Sequence, residues 1–176
     1  MRTALSIAGV AIFVLTAAGT ALAQGSGAEA RLKQLNITLP ADQAPAANFV
    51  NAVQAGKLLF LSGNTPGGQW PLKGKVGKDL TIEQGYESAR QTGLIMLGKI
   101  RTALGSLDRV KRIVKVLGMV NSADGFSDQP RVVNGFSDLM VEVFGEAIGK
   151  HARSAVGMAG LTGNAPVEVE MIVEVE

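Results

Sequence analysis

The stretch Val167-Glu-Val-Glu-Met-Ile-Val-Glu-Val175 near the C-terminus alternates between apolar and acidic side chains. Successive side chains of a β-strand point to opposite faces of the sheet, so this period of two indicates a strand with one buried face. The other face is acidic except at Ile172, and its glutamates are Glu168, Glu170, Glu174 and Glu176. A strand of this kind requires a second layer of structure packed on its apolar face.

Two segments upstream have the apolar spacing of three and four residues that is typical of amphipathic helices. The first begins at Thr81, which has the spacing of a capping box, and ends at Gly105. The second begins at Ser127 or Asp128 and continues to Gly149. These two helices are the expected second layer.

Further strands are predicted at residues 58–61, 110–120 and 155–159, and residues 49–53 form a hairpin with the first of these. A glycine-rich loop follows at residues 63–78. The order β-β-α-β-α-β-β predicts an α+β fold, a β-sheet with two helices packed on one face. If the last two strands pair, Glu168 lies one hairpin away from Arg153.

The composition excludes several classes of function. The chain has 17 basic and 15 acidic residues and a net charge of +2, which argues against strong attraction to nucleic acid or to an anionic membrane. It contains no cysteine, so disulfides and thiol catalysis are excluded. His151 is its single histidine, which rules out a multi-histidine metal site.

The N-terminus resembles a secretory signal. Residues 4–23 are almost wholly apolar or small and close on Ala21-Leu22-Ala23, an A-x-A cleavage pattern. We expect residues 1–23 to be a signal peptide cut after Ala23, with export to the periplasm or the medium and no membrane contact after cleavage. An uncleaved N-terminal anchor is the alternative. Residues 24–46 are predicted to be a flexible extension, and residues 47–176 a single domain.

Arg153 and Glu168 are the first candidates for a functional site. Arg153 begins a strand, and its planar guanidinium matches a carboxylate bidentately. The alternative is a surface arginine paired with a neighbouring glutamate. The carboxylate of Glu168 can position a water or remove a proton from it. The alternative is one solvated glutamate among several on an acidic face.

Other polar residues are weaker candidates. Asn134 lies in the second helix, either at a functional interface or simply exposed to solvent. Ser62 and Gly63 end a strand with a hydroxyl group and a residue that permits close approach, although an ordinary strand-to-loop transition has the same pattern. His151 is close to Arg153 and is a possible general base, but a structural or solvated histidine is the expectation for this position.

Together these residues resemble the Rid family, also called the YjgF or L-PSP family, over residues 47–175. Ala152-Arg-Ser-Ala-Val-Gly157 and Val167-Glu-Val-Glu170 match the family signature. Leu61-Ser-Gly-Asn64 is similar to its Ser-Gly-Gln segment, and Arg131-Val-Val-Asn134 to its helix-opening Val-Asn. The resemblance implies the chorismate-mutase-like α+β fold. A segment at residues 63–79 that is longer than in compact members indicates a divergent subgroup, and the predicted signal peptide indicates that it is exported.

The resemblance also implies a homotrimer with clefts between subunits, and no cofactor or metal. The arginine that matches Arg153 binds the substrate carboxylate, and the glutamate that matches Glu168 holds the water that attacks an imine carbon. Phe49 falls where many members have a tyrosine. The implied substrate-binding set is Arg153, Asn134, Ser62, Gly63 and Phe49.

The expected function is therefore that of an exported hydrolase that converts 2-imino or enamine acids to 2-oxo acids and ammonia. Its partner is a small carboxylate metabolite. The alternative is a non-catalytic module that binds such a carboxylate in the same cleft. A ribonuclease, which is another name the family has carried, is disfavoured by the near-neutral charge and the lack of a histidine pair.

Overall fold

The computed structural model of the protein describes residues 27–176. The predicted signal peptide, with its cut after Ala23, lies outside the described residues. Within residues 27–176, no helix combines the length and the apolar character that a membrane crossing requires.

The described chain contains helices and strands in the predicted order, preceded by a short helix within the segment predicted to be a flexible extension. The helices are α1 (Ala28–Gln34), α2 (Ile82–Leu104), α3 (Gln129–Phe144) and α4 (Glu146–Gly149). The strands are β1 (Ala52–Ala55), β2 (Leu58–Asn64), β3 (Val110–Asn121), β4 (Ala152–Met158) and β5 (Val167–Val175). The predicted second helix is divided because Gly145 adopts a left-handed conformation with φ of 75°.

The five strands form one sheet in the order β1-β2-β5-β3-β4, in which β3 and β4 are parallel and the other pairs antiparallel. The apolar face of β5 is buried, including Val167, Val169 and Val173, under the layer formed by α2 and α3. The predicted α+β architecture, with two helices on one face of the sheet, is confirmed.

The conditional pairing of the last two strands is wrong, because β3 lies between β4 and β5. The segment β3-α3-β4 is a parallel crossover unit, in which the connecting helix carries the chain back and places β4 beside β3. The strand β5 then pairs with the remaining edge of β3 and with β2. Glu168 is therefore not one hairpin away from Arg153.

The packed fold begins at Ala28 rather than at residue 47. Ala28 and Leu32, one helical turn apart, bury the inner face of α1 in the core. Glu29 binds Arg101 of α2 with two contacts of 2.9 and 2.7 Å, and also accepts the Leu107 N–H at 3.0 Å. The segment predicted as a flexible extension thus supplies a docked helix.

The chain between α1 and β1 also lies against α2. The Lys99 ammonium pairs with Asp42 Oδ1 at 2.9 Å, and both side chains are largely buried. Asn51 donates to the same carboxylate at 2.9 Å and to the Gln43 carbonyl at 2.8 Å. Residues 40–51 are therefore held to the helical layer by charged and polar contacts.

The face of the sheet opposite α2 and α3, which we call the open face, carries apolar side chains that are exposed in the single chain. Phe60 of β2 pairs with Val53 of β1 and with Ile172 of β5, so these three side chains share this face. Val53 is 55% exposed, Phe60 42%, Val156 38% and Met158 36%. The open face thus combines exposed apolar side chains with Glu168, Glu170 and Glu174 of β5, and within residues 27–176 no layer covers it.

Candidate functional site

Arg153 is held against helix α3. Its partner across the sheet is Val116, which is buried under the helices, so the Arg153 side chain also leaves the sheet on the helical side. Nη1 donates to Asn134 Oδ1 at 2.9 Å and to Ser137 Oγ at 3.0 Å, and Nη2 donates to the Pro130 carbonyl at 3.4 Å. The three acceptors lie at i, i+4 and i+7 of α3, which is one face of a helix.

This arrangement orients the guanidinium and leaves part of it free. Arginine has five N–H donors in a fixed plane, and three are used by the bonds to α3. Within the described residues, Nε–H and one hydrogen of Nη2 therefore have no acceptor. Two neighbouring donors on a fixed plane suit the two oxygens of a carboxylate. Arg153 and Asn134, both predicted site residues, are thus in direct contact.

His151 completes this cluster through Ser137. The imidazole Nδ1 lies 2.7 Å from the Gly149 carbonyl, and Nε2 lies 3.1 Å from Ser137 Oγ. The ring also meets Phe136 edge-on, with centroids 6.4 Å apart. Burial lowers the pKa of His151, and the nearby positive charge of Arg153 lowers it further. We call Arg153, Asn134, Ser137 and His151 the arginine half-site.

Ser137 was not among the residues predicted from the sequence. Its position three residues after Asn134 and seven after Pro130 places it on the same helical face, and this spacing is the signal that could have identified it. The spacing has meaning only when Arg153 is known to lie beside that face.

Glu168 occupies a different environment, which we call the glutamate half-site. Its partner on β3 is Met119, and it lies on the open face. Partial burial raises the pKa of the Glu168 carboxyl, and the charge of Glu170 raises it further. Within residues 27–176, this carboxylate has no hydrogen-bond or ion-pair partner. It is thus an accessible base that is stronger than an ordinary glutamate.

Gly63 packs directly against this carboxylate. A Cβ atom placed on Gly63 would collide with Glu168 Oε1. The neighbouring Ser62 donates its hydroxyl to the Val50 carbonyl at 2.7 Å, which ties the end of β2 to the entry of β1. Phe49 directly precedes this entry and is 56% exposed. Of these predicted residues, Gly63 therefore contacts Glu168, and Ser62 adjoins Gly63 in the chain.

The two half-sites lie on opposite faces of the sheet. Val116, the β3 partner of Arg153, and Met119, the β3 partner of Glu168, are three residues apart on one strand. Residues separated by an odd number of positions on a strand point to opposite faces. A single chain therefore does not bring Arg153 and Glu168 together.

The long loop at residues 63–78 is anchored at its middle and near its C-terminal end. Trp70 Nε1 donates to Ser88 Oγ of α2 at 2.9 Å. The Lys75 ammonium donates to Asn121 Oδ1 and to the Ser122 and Ala159 carbonyls, at 3.1, 3.1 and 2.7 Å. A cavity of about 550 Å³ lies beside Trp70, between this loop, residues 40–43 and α2.

A family model described as "YjgF/chorismate mutase-like, putative endoribonuclease" matches residues 29–174. The match begins within α1, in agreement with the docking of that helix, and ends at the last residue but one of β5. It therefore includes both half-sites.

Similar proteins come from diverse organisms. Protein TCP17 of Trypanosoma cruzi is 46% identical over 149 residues, which cover 82% of this chain and 92% of that protein. The crystal structure of Atu1372, a protein of unknown function from Agrobacterium tumefaciens, is 39% identical with a TM-score of 0.76, over 84% of this chain and 91% of that one. A "putative endoribonuclease" from Shewanella oneidensis MR-1 is 30% identical with a TM-score of 0.80, over 85% and 100%.

Proposed function

The chain belongs to the Rid family, also called the YjgF or L-PSP family, and from this premise we propose that it hydrolyses 2-imino and enamine acids to 2-oxo acids and ammonia. The observation that carries the proposal is the pair of half-sites. One is a guanidinium oriented by three acceptors with two donors left for a carboxylate. The other is an unpaired glutamate whose pKa is raised by burial.

The proposed site lies between two copies of the chain. Because Arg153 and Glu168 lie on opposite faces of one sheet, we propose that Arg153 of one subunit faces Glu168 of its neighbour in a homotrimer. The exposed apolar side chains of the open face (Val53, Phe60, Val156 and Met158) support this assembly, since apolar groups exposed in one chain are common at protein interfaces. A ring of three such contacts closes by rotation, as heterologous interfaces in cyclic oligomers do.

The chemistry requires few groups. Arg153 binds the carboxylate of the 2-imino acid and so fixes the C2 atom in space. Glu168 accepts a proton from a water molecule while the water oxygen bonds to C2 and the C=N electron pair moves to nitrogen. Glu168 returns this proton to the nitrogen, which gives a carbinolamine. The carbinolamine hydroxyl then loses its proton to Glu168, which passes it to the nitrogen, and the C–N bond breaks as the C=O bond forms and ammonia leaves. Water and imine are consumed in equal amounts, with no oxidation.

Two further parts of the proposal rest on the sequence. We propose that the protein is exported, on the pattern of residues 1–23, and that no nucleic acid is its partner. The word endoribonuclease in the family description and in the Shewanella protein's name is not matched by a histidine pair, since the chain has one histidine. RNA hydrolysis by acid–base catalysis ordinarily uses paired titratable groups in the site.

A binding-only role is the second candidate, and Phe49 is the observation that favours it. Where many family members have a tyrosine hydroxyl, this chain has an exposed phenyl ring. In that case the cleft would hold a small carboxylate without turnover.

The test is ammonia release from 2-imino acids generated by an amino-acid oxidase, with semicarbazide trapping to follow imine loss. We expect the wild-type protein to accelerate release and Arg153→Ala to abolish the acceleration. Arg131→Ala is the matched control, because Arg131 is an exposed arginine of α3, the helix against which Arg153 lies. Saturable binding of 2-oxo acids without acceleration would support the binding-only role, and cleavage of labelled RNA would contradict both.

A further inference from the structure

We propose that Ser137 and His151 are positioning residues for Arg153: the neutral imidazole holds the Ser137 hydroxyl so that its oxygen faces the guanidinium, and the guanidinium is thereby aimed at its carboxylate ligand. The inference rests on the proposed function for the identity of the ligand. It rests on geometry for the coupling itself, which is a continuous chain of hydrogen bonds.

The Gly149 carbonyl, at one end of this series of hydrogen bonds, determines the direction of every bond in the series. The Gly149 carbonyl can only accept, so the His151 nitrogen 2.7 Å away, Nδ1, carries the hydrogen. A neutral imidazole then has a lone pair on Nε2. Ser137 must donate its single hydroxyl hydrogen to that lone pair, at 3.1 Å. The Ser137 oxygen is left to accept from Arg153 Nη1, at 3.0 Å.

This one-way chain removes the rotational freedom of the hydroxyl. A serine hydroxyl in another setting turns to suit its neighbours and is donor or acceptor. Here the Ser137 hydroxyl donates to His151, so towards Arg153 its oxygen can act only as an acceptor. Hydrogen bonds aligned in series also strengthen one another. Asn134 Oδ1 fixes the second Nη1 hydrogen. Both hydrogens of Nη1 are therefore bound, one by Ser137 and one by Asn134, and this fixes the plane of the guanidinium group.

The neutral state of His151 is essential to this arrangement. Arg153 is the charged group that faces the ring from β4, Ser137 and Phe136 face it from α3, and Gly149 faces it from α4. A proton on Nε2 would turn the Ser137 hydroxyl hydrogen away. The Ser137 oxygen would then face two cations, the imidazolium of His151 and the guanidinium of Arg153. Burial and the charge of Arg153 lower the pKa of His151 by more than the hydrogen bond to the Gly149 carbonyl raises it, and the neutral ring is therefore favoured.

His151 itself is not a group that touches the substrate in this proposal. Both of its nitrogens are already engaged, one by a carbonyl and one by a hydroxyl. The ring is also partly buried against Phe136. Its effect therefore reaches the ligand only through Ser137 and Arg153.

The test measures the order of the Arg153 side chain and the binding of a carboxylate. Ser137→Ala and His151→Phe remove the bridge, whereas His151→Gln retains an amide oxygen able to accept from Ser137. We expect the NMR order parameter of Arg153 Nε to fall in the first two variants and to be restored in His151→Gln. We expect pyruvate to bind about tenfold more weakly to the first two, and neutral pyruvamide to bind unchanged.

A merely structural role would weaken pyruvate and pyruvamide equally, and that result would overturn the inference. An unchanged order parameter in both Ser137→Ala and His151→Phe would also overturn it, whether or not pyruvate binds. Neither readout depends on turnover. If the wild-type protein binds pyruvate but releases no ammonia from imino acids, the deaminase proposal is overturned. The order parameters and pyruvate binding of the variants still decide the role of Ser137 and His151.

Discussion

Arg153 and Glu168 leave the same sheet on opposite faces, because their β3 partners Val116 and Met119 are separated by three positions. The strand β3 also lies between the strands that carry them. No rotamer change of either side chain removes a sheet from between them. Any reaction that uses both groups must therefore take them from two copies of the chain.

This relationship predicts complementation between two inactive variants. Arg153→Ala retains Glu168, and Glu168→Gln retains Arg153, so a mixed form of the proposed homotrimer contains sites in which both groups are native. For random assembly of equal amounts, we expect about a quarter of the wild-type ammonia release. Refolded mixtures compared with each variant alone provide the measurement. Activity that stays at the level of the single variants would contradict a site between subunits.

The acid side of the pH profile is expected to report Glu168. Partial burial and the charge of Glu170 raise the pKa of Glu168, and a general base must be ionised. Activity should therefore fall as the pH drops through that raised pKa. Glu168→Gln should lower kcat/KM about 100-fold or more, and its residual activity should lack this acid limb. An acid limb that persists in Glu168→Gln would assign it to another group.

Gly63 is expected to set the position of the Glu168 carboxylate. Gly63→Ala places a methyl group where Glu168 Oε1 lies, and the flexible carboxylate must move. We expect kcat/KM to fall about tenfold or more with little change in stability. Gly68→Ala is the matched control, since nothing lies within 4 Å of its added Cβ. Equal kinetics for the two variants would show that the carboxylate position is not critical.

Helix α1 is expected to contribute to global stability. Leu32 is buried in the core, whereas Leu35 at the end of the same helix is 37% exposed. Leu32→Ala should therefore cost about 2–3 kcal/mol of unfolding free energy, and Leu35→Ala about 0.5 kcal/mol or less. Urea unfolding at one fixed protein concentration measures both. Similar losses in the two variants would indicate that α1 is not docked in solution.

The charge of Arg153 should be visible in the titration of His151. That charge contributes to the lowered pKa of His151, so Arg153→Gln should raise it, while Arg131→Gln leaves it unchanged. The imidazole C2 proton signal, followed by NMR as a function of pH, gives the value directly for the single histidine of the chain. An unchanged pKa of His151 in Arg153→Gln would show that the charge of Arg153 does not act on the ring.

Local pattern was sufficient for most of the secondary structure. The alternation of residues 167–175 predicted β5, and the capping box of Thr81 and Gln84 predicted the start of α2, where both reciprocal hydrogen bonds are present. Each of these signals depends only on near neighbours in the chain. The boundary at residue 47 had no such signal, because the docking of α1 depends on Arg101 and on a core formed far along the sequence.

The residue types at Arg153, Glu168 and Asn134 were identifiable from the sequence, because their chemistry and spacing match a family signature. The sequence did not show which of these residues contact one another. Strand order depends on which edges of β3 and β5 remain free after the β3-α3-β4 crossover has formed, and that is a property of the whole sheet. The contact of Ser137 with Arg153 and His151 likewise exists only because α3 packs beside β4. Hydrophobic period and composition report on the structure of a single helix or strand. The placement of Arg153 and Glu168 on opposite faces results instead from the pairing of strands that are far apart in the sequence.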